Sequence, residues 1–137
     1  MRKNRLREIW ATGQAAVNGW LSVPSPYVAE IMAHQGWDGL TIDLQHGPID
    51  VPDAIPMLQA MSAGDAVPIV RVPWNEPSVI MRVLDAGAYG IICPMVNNRA
   101  QCEAFVGACR YAPQGYRSFG PARGILYGGE DYLEHAN

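Results

Sequence analysis

The sequence predicts an α/β fold built on parallel strands, and three observations carry the prediction. Four short apolar runs recur along the 137 residues. Their hydrophobicity is continuous rather than alternating, the pattern of strands buried on both faces. Between them lie segments with apolar residues at helical spacing, opened by proline and closed by glycine. Strand and helix in steady alternation require parallel strands joined by right-handed crossovers.

In chain order, the basic cluster Arg2-Lys3-Asn4-Arg5-Leu6-Arg7 reads as the solvated face of a first helix. Ala15 to Leu21 is the first strand. Ser25 then offers an N-cap and Pro26 a first helical position. The apolar stripe of that helix is Tyr27, Val28, Ile31 and Met32, and Gly36 stops it. Gly39 to Leu44 is the second strand. Pro52 opens a helix carrying Ala54, Ile55, Leu58 and Met61, with Gly64 as its stop. Val67 to Val72 is the third strand; Glu76-Pro77 starts a helix carrying Val79, Ile80, Val83 and Leu84. Tyr89 to Cys93 is the fourth strand, and Asn97-Asn98 starts a helix carrying Ala100, Phe105, Val106 and Cys109. From Tyr111 the chain turns Gly-, Pro- and Tyr-rich, which predicts a long loop with a short helix between Glu130 and His135. No linker or composition break divides the chain, so residues 1–137 are expected to lie within one domain.

Composition narrows the function classes. With 49% hydrophobic and 17% charged residues this is a folding chain, and a net charge of -3 gives no case for nucleic acid or an anionic membrane. There is neither an apolar run of about twenty residues nor an apolar core behind the N-terminal charges. A cytoplasmic location is therefore expected. Three cysteines without a Cys-x-x-Cys pair argue against a disulfide framework or a zinc site.

Parallel α/β folds keep their chemistry at the carboxyl ends of the strands, whether the sheet is open or closed into an eight-stranded barrel. No Gly-x-Gly-x-x-Gly follows the first strand, which disfavours a dinucleotide-binding sheet. The strand ends supply Trp20 and Ser22; Asp43, Gln45 and His46; Arg71 with Pro73-Trp74-Asn75; and Pro94-Met95. His46 suits a general base, because imidazole titrates near neutrality; it equally suits a helix cap packed on Pro48. Arg71 offers a planar fork to a carboxylate or enolate oxygen, or an internal ion pair to Asp43 or Glu76. Asp43 is placed to orient an arginine, a histidine or a metal-bound water. Trp20 walls a pocket or fills the core. The loop from Gly115 to Gly124 either covers a pocket, offering Arg117 or Arg123, or is a packed connector. His34 and His135 read as surface residues.

Taken together these residues resemble the HpcH/HpaI family of class II pyruvate aldolases, the 4-hydroxy-2-oxoheptanedioate aldolase group. The resemblance is carried by Gly19-Trp20-Leu21 with Ser25-Pro26, Ile42-Asp43-Leu44-Gln45-His46-Gly47-Pro48 and Val70-Arg71-Val72-Pro73-Trp74-Asn75. Leu84-Asp85-Ala86-Gly87, Cys93-Pro94-Met95-Val96, Arg110 to Gly115 and Gly120-Pro121-Ala122-Arg123 continue it in order. It implies a (β/α)₈ TIM barrel, of which this chain holds about the first four βα units, the N-terminal half of one barrel domain. It implies reversible retro-aldol cleavage of 4-hydroxy-2-oxo acids to pyruvate and an aldehyde, in aromatic compound catabolism, by a homo-oligomer (a hexamer). By the same resemblance His46 is the base, Arg71 stabilises the enolate, Asp85 raises the basicity of the histidine, and Trp20, Asp43 and Gln45 line the substrate pocket. Gln45 stands where many members carry Glu. A divalent cation (Mg, Mn or Co) is implied, with its carboxylate ligands beyond residue 137 and none in this chain, so the chain alone is expected to be inactive. Two other readings remain: a malyl- or citryl-CoA lyase relative, and a non-catalytic half-barrel that acts by association.

Overall fold

The computed structural model describes residues Met1–Asn137. Eleven elements follow one another: α1 (Arg5–Ala11), β1 (Asn18–Leu21), α2 (Pro26–Ala33), β2 (Gly39–Asp43), α3 (Val51–Met61), β3 (Val67–Arg71), α4 (Pro77–Asp85), β4 (Gly90–Ile92), α5 (Arg99–Cys109), α6 (Ala122–Gly128) and α7 (Tyr132–His135). The strands form one parallel sheet in the order β1-β2-β3-β4. Each strand therefore pairs with its successor in sequence, with a helix in every crossover. The second, third and fourth predicted strands are present with slightly tighter ends. The first begins at Asn18 rather than Ala15, because pairing with β2 starts where Asn18 meets Gly39.

Side chains alternate between the two faces of the sheet. Leu21, Leu40, Ile42 and Val70 point outward and pack with Ala29 and Ala33 of α2, Ala54, Met57, Leu58 and Met61 of α3, and Ile80 and Val83 of α4. This outer layer is the main core. The inner face is different: Val67 and Ile69 meet Leu6 of α1, which closes the amino end of the sheet. Towards the carboxyl end that face stays open, and there the polar residues lie.

The helix starts follow the sequence chemistry. The Ser25 hydroxyl accepts from the Val28 amide, with Pro26 at the first helical position. Asp50 and Asp53 form a reciprocal capping box on α3. The Asn98 side chain accepts from the Gln101 amide at the start of α5. Gly64 ends the α3 turn where a Cβ would lie 2.4 Å from the Ala33 carbonyl oxygen, so α2 and α3 approach as closely as they do only with glycine there.

Two expectations are corrected. The stripe expected to bury α2 is mostly outside: Tyr27, Val28 and Ile31 are exposed, and Ala29 and Ala33 face the core. Close helix packing selects the small residues. The segment expected to be a loop contains α6, whose Gly124 and Gly128 pack on Tyr132.

Candidate active site

Asp43 ends β2 and Arg71 ends β3, and the two stand side by side in register. The guanidinium donates Nε to Asp43 Oδ1 at 2.8 Å and Nη2 to Oδ2 at 2.6 Å, a bidentate pair. Trp20 of β1 donates its indole Nε1 to Asp43 Oδ2 at 3.2 Å, and its ring lies 4.9 Å from the Arg71 guanidinium carbon. Two backbone amides complete the set: Gln45 N and His46 N donate to Asp43 Oδ1 at 3.0 and 3.3 Å. One buried carboxylate thus receives five hydrogen bonds. The Arg71 guanidinium, helped by Trp20 and the two amides, holds the Asp43 carboxyl well below the usual carboxylate range despite burial. Reciprocally, Asp43 holds Arg71 more firmly protonated.

The same contacts fix the turn that presents His46. Asp43 draws in the amide of His46, and Gly47 follows where a Cβ would lie 2.5 Å from the Asp43 carbonyl oxygen. The chain doubles back over the strand end, which only glycine permits. The His46 side chain is left exposed on the rim. Arg71 keeps its Nη1 without a protein partner. This rim therefore offers an exposed imidazole and an unused guanidinium edge, held from neighbouring strands by one carboxylate.

Trp20, Asp43, Gln45, His46 and Arg71 come together at the carboxyl ends; Asp85 does not join them. It ends α4, ahead of β4, and so lies at the amino ends of the strands, where its Oδ1 accepts from Arg117 Nη2 at 2.7 Å. Arg117 is buried there, 4.4 Å from the Tyr111 ring centroid. Arg123 on the same side donates to the carbonyls of Leu58 and Ala86 and to the Ser62 hydroxyl. The loop from Gly115 to Gly124 is thus a packed connector on the opposite rim. His34 and His135 are exposed, as expected. Sequence reasoning missed Asn18 and Thr41, which hydrogen-bond each other at 3.0 and 3.2 Å on the inner face one layer beneath Trp20 and Asp43. A period of two counted back from the strand ends identifies them.

Two clefts lie apart from these residues. One, of about 230 Å³, runs beside β4 between α5 and α7. The other, of about 440 Å³, lies on the inner face against Trp10, Ile69 and Ile92. A resident divalent metal does not fit this chain's residues. No three His, Cys, Asp or Glu side chains gather to hold one. The carboxylate at the site has both oxygens committed to protein donors. No helix is long and apolar enough to cross a membrane.

The chain is similar to known proteins over nearly its whole length. A hydroxypyruvate/pyruvate aldolase of Rhizorhabdus wittichii is 48% identical over 134 residues, covering 98% of this chain and 53% of its own length. A 5-keto-4-deoxy-D-glucarate aldolase of Klebsiella pneumoniae is 34% identical, over 98% of this chain and 53% of that protein. The crystal structure of an HpcH/HpaI aldolase/citrate lyase family protein from Burkholderia cenocepacia superposes with a TM-score of 0.85 at 34% identity, over 98% of this chain and 56% of that one. The chain spans about half the length of the relatives it matches, and its four strands are the first four βα units of their (β/α)₈ barrel. The HpcH/HpaI aldolase/citrate lyase profile matches residues 17–135, and the chain belongs to that family.

Proposed function

We propose that this chain supplies the base and the enolate-stabilising cation of an aldolase that cleaves 4-hydroxy-2-oxo acids to pyruvate and an aldehyde. In this reading residues 1–137 form the N-terminal half of one barrel domain. The exposed imidazole of His46 takes the proton of the 4-hydroxyl. The C3–C4 bond then breaks, the aldehyde leaves, and the electron pair passes to the 2-oxo oxygen as an enolate. Arg71 meets that developing charge with its free Nη1 edge, pre-aligned by Asp43 so that no reorganisation is needed as charge forms. Protonation of C3 gives pyruvate, and the reverse sequence builds the C–C bond.

The observation that carries the reading is the bidentate Asp43–Arg71 pair beside the His46 turn. It turns two strand ends into one preorganised donor and base. The resemblance also implies a divalent cation; its carboxylate ligands would come from the half of the relatives that this chain does not span, and a cation held there would supply polarisation of the 2-oxo group. The chain by itself is accordingly expected to release no pyruvate. Homo-oligomeric assembly and a cytoplasmic location belong to the same proposal.

The test is a chimera of residues 1–137 joined to the second half of the Rhizorhabdus wittichii relative, with pyruvate release followed by lactate dehydrogenase. The chimera should cleave a 4-hydroxy-2-oxo acid in the presence of Mg²⁺ or Mn²⁺, and His46→Ala should lower kcat by about 10²- to 10⁴-fold. Activity that survives His46→Ala within a few-fold would remove the histidine from the chemistry.

A further inference from the structure

Trp20 touches both members of the ion pair at the strand ends. Its indole Nε1 donates to Asp43 Oδ2 at 3.2 Å, the oxygen that also accepts from Arg71 Nη2 at 2.6 Å. Its ring lies 4.9 Å from the guanidinium carbon of Arg71. The strand register sets the direction of this reach. Trp20 is level with Thr41, one row before Asp43 and Arg71, which are level with each other. The indole therefore comes up to the pair from the amino side. An indole has a single polar atom, a donor, and Asp43 takes it. Nothing in the side chain is left to hydrogen-bond a substrate. The other donors to Asp43 are Arg71 itself and the amides of Gln45 and His46. Trp20 is thus the one side chain that braces the carboxylate and the guanidinium together.

We propose that Trp20 is a positioning residue for the enolate-stabilising cation, acting through the Asp43–Arg71 pair and not by touching substrate. The inference deepens the functional reading above and rests on it. The resemblance makes Trp20 a wall of the substrate pocket; the geometry gives it a different task. A guanidinium held along one edge alone can still swing about that edge. Asp43 holds the Nε and Nη2 edge, and the indole against the guanidinium blocks the swing. The indole N–H on Oδ2 fixes the carboxylate from outside the pair. With both contacts in place Nη1 keeps one direction, and a developing enolate oxygen meets a donor already aimed. Loss of Trp20 keeps the charge and releases the aim, so C–C cleavage slows while substrate binding changes little.

The experiment uses the chimera containing the full chain. The readouts are kcat and KM for cleavage, and exchange of the pyruvate C3 protons with D₂O followed by proton NMR, which needs the enolate but no aldehyde. Trp20→Phe keeps a ring against Arg71 and loses the donor; it should lower kcat and the exchange rate alike, by about fivefold, with KM within about twofold of the parent. Trp20→Leu loses both contacts and should lower them about 20-fold. Should the Leu variant fail to fold, the Phe variant carries the test. In an Arg71→Lys chimera there is no fork to align, and Trp20→Phe should then change exchange by less than about twofold. A purely structural role, or direct contact with substrate, would cost the same factor in both backgrounds. Equal losses in the Arg71 and Lys backgrounds, or a raised KM with exchange unchanged, would overturn the proposal while leaving the aldolase reading standing. An unsubstituted chimera that neither cleaves nor exchanges would overturn the aldolase reading and this inference with it.

Discussion

Replacing Asp43 by Asn removes one negative charge and exchanges one oxygen for an amide that can only donate. The best orientation keeps the carbonyl at the Oδ1 position, where Arg71 Nε and the amides of Gln45 and His46 converge. The amide nitrogen then confronts Arg71 Nη2, 2.6 Å from the present oxygen, and Trp20 Nε1 at 3.2 Å, both of them donors. Breaking a fully buried ion pair costs about 3–5 kcal/mol. The Arg71 side chain is 22% exposed and can recover some water, so a loss of about 2–3 kcal/mol is expected, a fall in Tm on the order of 10 °C for a domain of this size. Urea and thermal denaturation followed by circular dichroism at pH 7 measure it. The pH dependence has a definite sign. The folded state depresses the Asp43 carboxyl, so the stability it contributes is fully present above the unfolded carboxylate value of about 3.9 and is lost as acid titrates the folded form. The gap between parent and variant should hold from pH 7 to about 5 and narrow below about 4. A variant within about 0.5 kcal/mol of the parent at pH 7 would refute the idea that Asp43 organises this rim.

Three further outcomes are expected. Trp20→Phe keeps an aromatic face on Arg71 but deletes the Nε1 bond to Asp43, and should cost about 1 kcal/mol in the same melts against more for Trp20→Ala. Asp85→Asn leaves the buried Arg117 without its carboxylate and should destabilise by about 3 kcal/mol; a melt unchanged from the parent would contradict the pairing. Burial pushes the Cys109 thiol up to about 11 and raises that of Cys93, while Cys102 is exposed. Ellman's reagent at pH 8 should therefore find one fast thiol in the native chain and three in urea, and three fast thiols without denaturant would contradict the burial.

How far the sequence can be read depends on which physical signal each residue carries. The strands were legible because continuous Val, Ile and Leu runs suit few other structures, and Asp43 and Arg71 stood out as charges terminating such runs. The ion pair and the enolate role of Arg71 looked like alternatives in one dimension. The structure has Nε and Nη2 engaged with Asp43 and Nη1 unpartnered, which leaves room for both. The face of α2 was misread because Tyr27, Val28 and Ile31 are as apolar as the true core face; that Ala29 and Ala33 go inside follows from the closeness of α3, a long-range fact. Helix α6 was missed because Gly124 and Gly128 carry a helix penalty, offset here by their packing on Tyr132. Asp85 shows the limit of residue-by-residue resemblance. Its local motif is intact, yet within one chain it answers to Arg117 on the far rim.

The central claim is that a planar guanidinium edge, set by Asp43 and aimed from the end of β3, stabilises an enolate beside the His46 base. Arg71→Lys in the chimera tests it most directly, because lysine keeps the charge and loses the fork. The account predicts that kcat for pyruvate release falls at least about a hundredfold with the protein still folded. A lysine variant that retains kcat within a few-fold of the parent would contradict it.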